Sequence, residues 1–276
     1  MKAYIIGENK VFPYLYDNLK DFLEIYNDKN QYSIKGTKVL KSSDLLLKTS
    51  FTDVIILLDC NIFEKKLMLD DCEINFDERI IENFKNCLWM GITCNEKIDY
   101  YIDKYNLNYI NLSQSMPLFL TSKIALSEIL LSKIIQTSSK LAHQRKILVA
   151  GYSASNKIIC DLLSVNKNIV IVSDRMLHLL VEAKNDGYGI LLKEELAKQP
   201  INFDIIILDD EYILKKIDFL PHQQVFFIDY EERKKEDKKY HVIYPYFEIS
   251  QKYPKVIADS LKSCIKKEIK EYFRGE

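Results

Sequence analysis

The sequence predicts an α/β protein with two domains, each built on a mostly parallel sheet and joined by a long helix. Three observations carry this. Short apolar runs alternate with amphipathic stretches through both halves of the chain, as in successive β–α–β units. Residues 122–143 keep a helical apolar face without a break, a length of about 30 Å at 1.5 Å per residue. Residues 146–156, KILVAGYSASN, read as a strand, a glycine turn and the start of a helix.

In the first half, strands are expected at Ala3–Ile6, Asp53–Leu58, Cys87–Met90 and Tyr109–Asn111. Helices are expected at 13–26, 77–84 and 96–105. In the first of these, Leu15, Leu19, Phe22 and Leu23 recur at intervals of three and four, which makes one apolar face. The polar segments 29–37 and 70–75 read as loops. Pro117 closes the first domain at residue 120, because the residue before a proline is driven out of helical geometry. The joining helix then occupies 121–145, with Thr121 or Ser122 as its cap. Its apolar face is Ile124, Leu130, Leu131, Ile134, Ile135 and Leu141.

The second domain is expected over 146–250, with strands at 147–150, 169–172, 204–208, 225–228 and 242–244. Helices are expected at 156–165, 176–185 and 212–217. The charge run EERKKEDKK at 231–239 mixes both signs and reads as a solvated loop. A final helix over 255–273 turns Val256, Leu261, Ile265 and Ile269 inward and packs back on the protein, so 251–276 forms a separate C-terminal element.

The strand ending at Ala150, the turn at Gly151 and the strand ending at Ser173-Asp174-Arg175 follow the first β–α–β unit of a dinucleotide-binding domain, so the second domain is expected to be Rossmann-like. In that motif one glycine makes the turn, a second admits the pyrophosphate and a third lets helix and strand pack. Gly151 keeps the first position, while Ser153 and Asn156 replace the others. Ser153 and Ser155 sit where a helix N-terminus attracts anions, and their hydroxyls suit phosphate oxygens; either also suits a helix cap. Asn156 is large for its position and is expected to push helix from strand. Asp174 suits ribose hydroxyls or the cap of the next helix.

Composition narrows the classes of function. The chain has 276 residues and a net charge of −1, so a broad basic face for nucleic acid is not expected. Its apolar runs, such as Val54–Leu58, are far short of a membrane span, and its N-terminus reads as a strand, so a soluble cytoplasmic protein is expected. Six cysteines include no C-x-x-C, and four histidines include no ligand pair, so no metal site is expected. Cys60, Cys87 and Cys160 lie in or beside apolar runs and read as buried thiols. Glycine is scarce, 7 of 276 residues against an ordinary usage of about 7%. No acid–base or nucleophile constellation can be assembled, so no catalytic residue is assigned. His143 reads as a helix-end partner and His178 as half-buried, while His222 and His241 fall in loop or strand-edge positions. Asp209 and Asp210 end a strand at the edge where open α/β sheets bind ligands, and also suit loop caps.

The order of these parts resembles the A subunit of dipicolinate synthase, a family similar in architecture to the D-2-hydroxyacid dehydrogenases. The resemblance runs from MKAYIIGEN through INLSQSMPLFLTSKIALSEILL, KILVAGYSASNKII and IVIVSDRMLHLL to the last helix. In the crossover Ser115 and Pro117 match, while Leu120 and Thr121 replace an acid and a glycine. Arg175 matches an arginine suited to the 2′-phosphate of NADP; Asp174 beside it suits NAD. The resemblance implies NAD or NADP held by Gly151, Ser153, Ser155, Asn156, Asp174 and Arg175. It also implies a substrate cleft with Ser115, Pro117 and Asp209, and a small cyclic dicarboxylate reduced in spore-related biosynthesis. The expected partner is a different, second subunit or another copy of the chain. The scarce glycines and lost cleft residues favour instead a non-catalytic relative serving as a binding or assembly module, and the two readings stand near equal.

Overall fold

The apolar runs become two parallel sheets in the computed structural model, which describes residues 1–7, 9–46, 52–59, 62, 66–92, 96–137, 144–196, 202–209, 214–215, 219–229 and 239–274, with the backbone alone at 46, 155, 193 and 246. The first sheet contains β1 (Lys2–Ile6), β2 (Glu24–Asn27), β3 (Lys38–Val39), β4 (Val54–Leu57), β7 (Leu88–Gly91) and β8 (Asn108–Asn111), in the order β3-β2-β1-β4-β7-β8. A hairpin of β5 (Lys66–Met68) and β6 (Glu73–Asn75) forms a separate two-stranded sheet. The second sheet contains β9 (Lys146–Ala150), β10 (Ile169–Asp174), β11 (Gly189–Leu192), β12 (Ile205–Leu208), β13 (Gln224–Ile228) and β14 (His241–Ile243), in the order β11-β10-β9-β12-β13-β14. Every pairing within both six-stranded sheets is parallel. All four residues of β4, β7 and β12 are buried, as expected of strands covered on both faces.

The chain divides into two units, Met1–Thr121 with Ser250–Glu276, and Ser122–Ile249. In the first, Tyr4, Ile55, Phe76, Phe84 and Trp89 share one core, and the Trp89 indole N–H donates to Phe84 O at 2.9 Å. In the second, Leu148, Ala150, Ile206, Leu208 and Phe227 form the core.

Several expectations from sequence are corrected. The helix expected at 13–26 is α1 (Phe12–Leu19) followed by β2. Leu15 and Leu19 are buried on α1, but Phe22 lies in the turn and is exposed. Beyond it, Ile25 and Asn27 point inward and Glu24 and Tyr26 outward, so a period of two takes over. A short α2 (Ser42–Leu46) follows β3, and the loop expected at 70–75 carries β6. The helices expected at 77–84 and 96–105 are α3 (Glu78–Asn83) and α4 (Glu96–Tyr105). The joining helix, α5 (Met116–Thr137), starts ahead of residue 122, with Pro117 inside its first turn. A proline fits there because an amide at that position has no helical partner to lose. Neither Thr121 nor Ser122 stands at its start, and Thr121 Oγ1 bonds Ser260 Oγ at 3.0 Å. Leu126, Ile129, Leu130 and Ile134 are buried residues of α5, while Ile124 and Ile135 are exposed.

In the second unit α6 (Ala154–Val165) and α7 (Leu177–Asn185) flank β10, and a short α8 (Lys193–Leu196) follows β11. The last helix, preceded by α9 (Pro245–Lys252), is α10 (Pro254–Arg274). It packs on α1 and buries Ile257, Leu261, Ile265 and Ile269; Val256 is exposed and Ile257 takes its expected place. His178 is exposed rather than half-buried, whereas Cys87 and Cys160 are buried thiols outside any disulfide. Cys60 and His143 lie outside the described residues, as do most of 212–217 and 231–239. Among the described residues no helix is long and apolar enough to cross a membrane, and no group of three acidic, histidine or cysteine side chains is placed to hold a metal ion.

One cap yields a prediction. Asp77 precedes α3 and accepts the Arg79 backbone N–H at 3.1 Å, while the Arg79 side chain holds its carboxyl below the ordinary range. Asp77→Ala is expected to cost about 1 kcal/mol in urea unfolding. The charge-dependent part is present above the unfolded value near 3.8 and is lost as pH falls through the lower folded value. The wild-type advantage therefore narrows in acid; an advantage that grows there contradicts the assignment.

Candidate functional site

The C-terminal ends of β9, β10 and β12 meet where the second sheet reverses its strand order, and α6 begins there. Gly151 makes the turn with φ +106°, a conformation L side chains rarely adopt. A Cβ added to it would lie 2.9 Å from Asp209 Oδ1 and 3.1 Å from Asn156 Nδ2. The backbone is thus open to a close neighbour, and that space is taken by two side chains of the protein.

Asn156 does not push the helix away. It is buried, and its amide nitrogen donates to Gly151 O and to Asp209 Oδ2, each at 3.2 Å. It ties the start of α6 to the turn and to the end of β12, filling with polar atoms the place a glycine leaves empty. Its Oδ1 is buried without a hydrogen-bond partner among the described residues.

Asp174 serves the backbone. Its Oδ2 accepts the Tyr152 N–H at 2.7 Å and its Oδ1 the Met176 N–H at 2.8 Å, so one carboxylate joins the glycine turn to the entry of α7. The Gly151 N–H donates to Ser173 O at 2.7 Å. Tyr152 is buried, and its hydroxyl donates to Asp186 Oδ2 at 2.6 Å; burial and this bond together raise its pKa. Two of the loop's amides are therefore committed inside the protein.

The first turn of α6 remains available. Ser153 is the exposed N-cap residue with extended backbone and no capping bond from its side chain. The ladder starts with Lys157 N–H to Ser153 O at 3.0 Å, so the N–H groups of Ala154, Ser155 and Asn156 have no partner within the helix. These donors, at the positive end of the helix dipole, suit an anion. The Ser155 side chain lies outside the described residues. Arg175 is exposed next to Asp174.

Lys123 carries no mark in the motif reading of the sequence. It stands on α5 in the same unit, half-buried, and burial pulls its ammonium below the usual lysine range while the Asp209 carboxylate acts the other way. A signal for it exists: Lys123 is the sole charged residue between Lys104 and Glu128.

Ser115 and Pro117 belong to the first unit and Asp209 to the second. Ser115 and Pro117 line a pocket of about 570 Å³ with Ser263 and Cys264 of α10. Ser115 Oγ donates to Leu112 O at 2.6 Å and lies 2.9 Å from Cys264 Sγ. Asp210 lies outside the described residues.

Two parallel α/β units, the second with a glycine turn and a helix N-terminus at its reversal point, define a two-domain α/β fold with a Rossmann-like second unit. Among solved structures the chain is similar to the A subunit of dipicolinate synthase. The protein from Bacillus halodurans matches with a TM-score of 0.78 and 16% identity over 97% of both chains. That from Bacillus subtilis matches with a TM-score of 0.79 and 15% identity over 100% of this chain and 98% of the other. A transhydrogenase from Sinorhizobium meliloti is more distant, with a TM-score of 0.57 and 12% identity over 95% of this chain and 92% of the other. At these identities the likeness is one of fold. No protein-family model and no curated protein sequence matches the chain.

Proposed function

We propose that the second unit binds a nicotinamide dinucleotide, and that the chain acts as a reductase of a small cyclic dicarboxylate in the manner of dipicolinate synthase. The observation that carries this reading is the open first turn of α6 beside a positive-φ glycine at the sheet's reversal point, in a chain with that protein's fold along its whole length. The N–H groups of Ala154 and Ser155, with the Ser153 hydroxyl, hold the pyrophosphate. Asp174 uses one lone pair of each oxygen on backbone and retains others for ribose hydroxyls. Arg175 beside it suits the 2′-phosphate of NADP. When bound, the dinucleotide supplies the hydride. Lys123, a partly desolvated cation acted on by Asp209, anchors a substrate carboxylate.

The closure of the loop on itself favours a second reading, a binding module without turnover: Asn156 and Asp209 occupy the space next to Gly151. Thermal unfolding with NAD, NADH, NADP and NADPH decides between them and tests both. A dinucleotide at about 100 times its dissociation constant adds about 2.7 kcal/mol and raises the midpoint by several degrees. A shift with turnover of a cyclic dicarboxylate supports the reductase, and a shift without turnover supports the module. No shift with any of the four eliminates dinucleotide binding.

A further inference from the structure

The first unit repeats the site geometry of the second. Its strand order reverses between β1 and β4, as the other does between β9 and β12. Gly7 follows β1 with φ +119°, as Gly151 follows β9. Asp28 follows β2 and accepts the Gly7 N–H at 3.1 Å, as Asp174 at the end of β10 accepts the Tyr152 N–H. Asp59 stands beyond β4 with its Cβ and its N each 2.9 Å from where a Gly7 Cβ would sit, the place Asp209 takes against Gly151.

The units differ in the helix that follows the glycine. At α6 three first-turn amides have no partner within the helix, as phosphate binding requires. At α1 the Val11 N–H is taken by Asn9 Oδ1 at 2.9 Å, and Pro13 in the first turn has no N–H. The first unit thus keeps the glycine and both acids but presents a poor phosphate cradle.

In front of this edge is a cavity of about 460 Å³. Asp28, Asp59, Ile62, Leu67 and Met68 line it; Ile62 and Leu67 are almost wholly buried in the core and Met68 is exposed. Lys29 and Lys66 also line it, the Lys66 ammonium 3.5 Å from Glu73 Oε2, so the wall carries charges of both signs. Asn30 lines it as well. Its Oδ1 accepts the Tyr32 N–H at 2.9 Å, but its amide nitrogen is buried with no hydrogen-bond partner among the described residues. A buried donor left unpaired is costly, and a ligand acceptor satisfies it.

We propose that the first unit binds a ribonucleoside in this cavity, with Asp28 and Asp59 accepting the vicinal ribose hydroxyls and the base lying on Met68. Carboxylates at the ends of the second and fourth strands are acceptors only, so they call for a ligand rich in hydroxyl donors. The exposed Met68 side chain, a polarisable thioether, offers an aromatic base a face to lie on. The volume lies in the lower part of the roughly 300–1,000 Å³ range of small-molecule sites, which suits a nucleoside better than a dinucleotide. The weak phosphate cradle selects the neutral nucleoside over the nucleotide.

Isothermal titration of the full chain with adenosine, guanosine, cytidine and uridine tests this. At least one is expected to bind with one-to-one stoichiometry, and its 2′,3′-dideoxy analogue about tenfold more weakly or worse, the equivalent of one charge-assisted hydrogen bond. Asp59→Asn is expected to weaken the ribonucleoside by a similar factor. Asn30→Asp keeps an acceptor for the Tyr32 N–H and removes the unpaired donor, so it weakens the ribonucleoside while the free protein stays folded. No heat with any nucleoside overturns the proposal. Equal affinity for ribo- and dideoxynucleoside overturns it too, as does binding insensitive to both substitutions. The test is separate from the dinucleotide reading, because a nucleoside has no pyrophosphate for α6 to hold.

Discussion

Gly7→Ala is expected to destabilise the chain by about 4 kcal/mol, and Gly151→Ala by about 2 kcal/mol. Both residues have a φ that a side chain adopts only under strain, +119° and +106°, worth about 1–3 kcal/mol at each. The difference comes from what the new methyl meets. At Gly7 it meets the backbone nitrogen and Cβ of Asp59, both at 2.9 Å and both fixed by the end of β4. At Gly151 it meets the carboxylate oxygen of Asp209 and the amide nitrogen of Asn156, the ends of side chains that rotate away. Urea unfolding of the two variants measures the order. An equal or larger loss at Gly151 means that the Asn156–Asp209 contact is as rigid as backbone. In that case the loop beside α6 cannot open toward a cofactor, and dinucleotide binding by the second unit is disfavoured.

The same contrast shows how far the sequence can be read. β9 and β12 are legible because uninterrupted runs of apolar residues are what a strand buried on both faces requires. β2 is not, because Leu19, Phe22 and Leu23 fall at helical spacing just before a strand whose alternation lasts four residues. Gly151, Asp174 and Asp209 all stand out in the sequence, and the structure brings them to one sheet edge; their bonding is beyond reach. Whether Asp174 meets a ribose or a backbone N–H depends on the angle of the next turn, which leaves no trace in residue identity. Asn156 illustrates the point most sharply. Its size alone implies a clash, yet hydrogen bonding to Gly151 O and Asp209 turns the same atoms into a clasp. The set of Gly7, Asp28 and Asp59 escapes a sequence reading altogether, since its members are scattered and match no motif.

Asp174→Ala is expected to cost about 3 kcal/mol, and Asp174→Asn about half of that. The alanine leaves two backbone donors without their acceptor. The Tyr152 N–H belongs to a fully buried residue and carries most of the loss, at about 1–3 kcal/mol for a buried unpaired group. The Met176 N–H lies at the exposed entry of α7 and turns to water at a smaller cost. Asparagine has one acceptor oxygen where aspartate has two. Whichever N–H keeps it, the other faces an NH₂ group, donor against donor. A residue whose part is to meet ribose behaves differently: its asparagine variant leaves the free protein's melting point in place and loses the dinucleotide-induced shift alone. Melting curves of both variants, with and without dinucleotide, separate the two roles. A fall in the free protein for both variants identifies Asp174 as the brace that holds the glycine turn against α7. An unchanged melting point for Asp174→Asn refutes that role and leaves the carboxylate to the ligand.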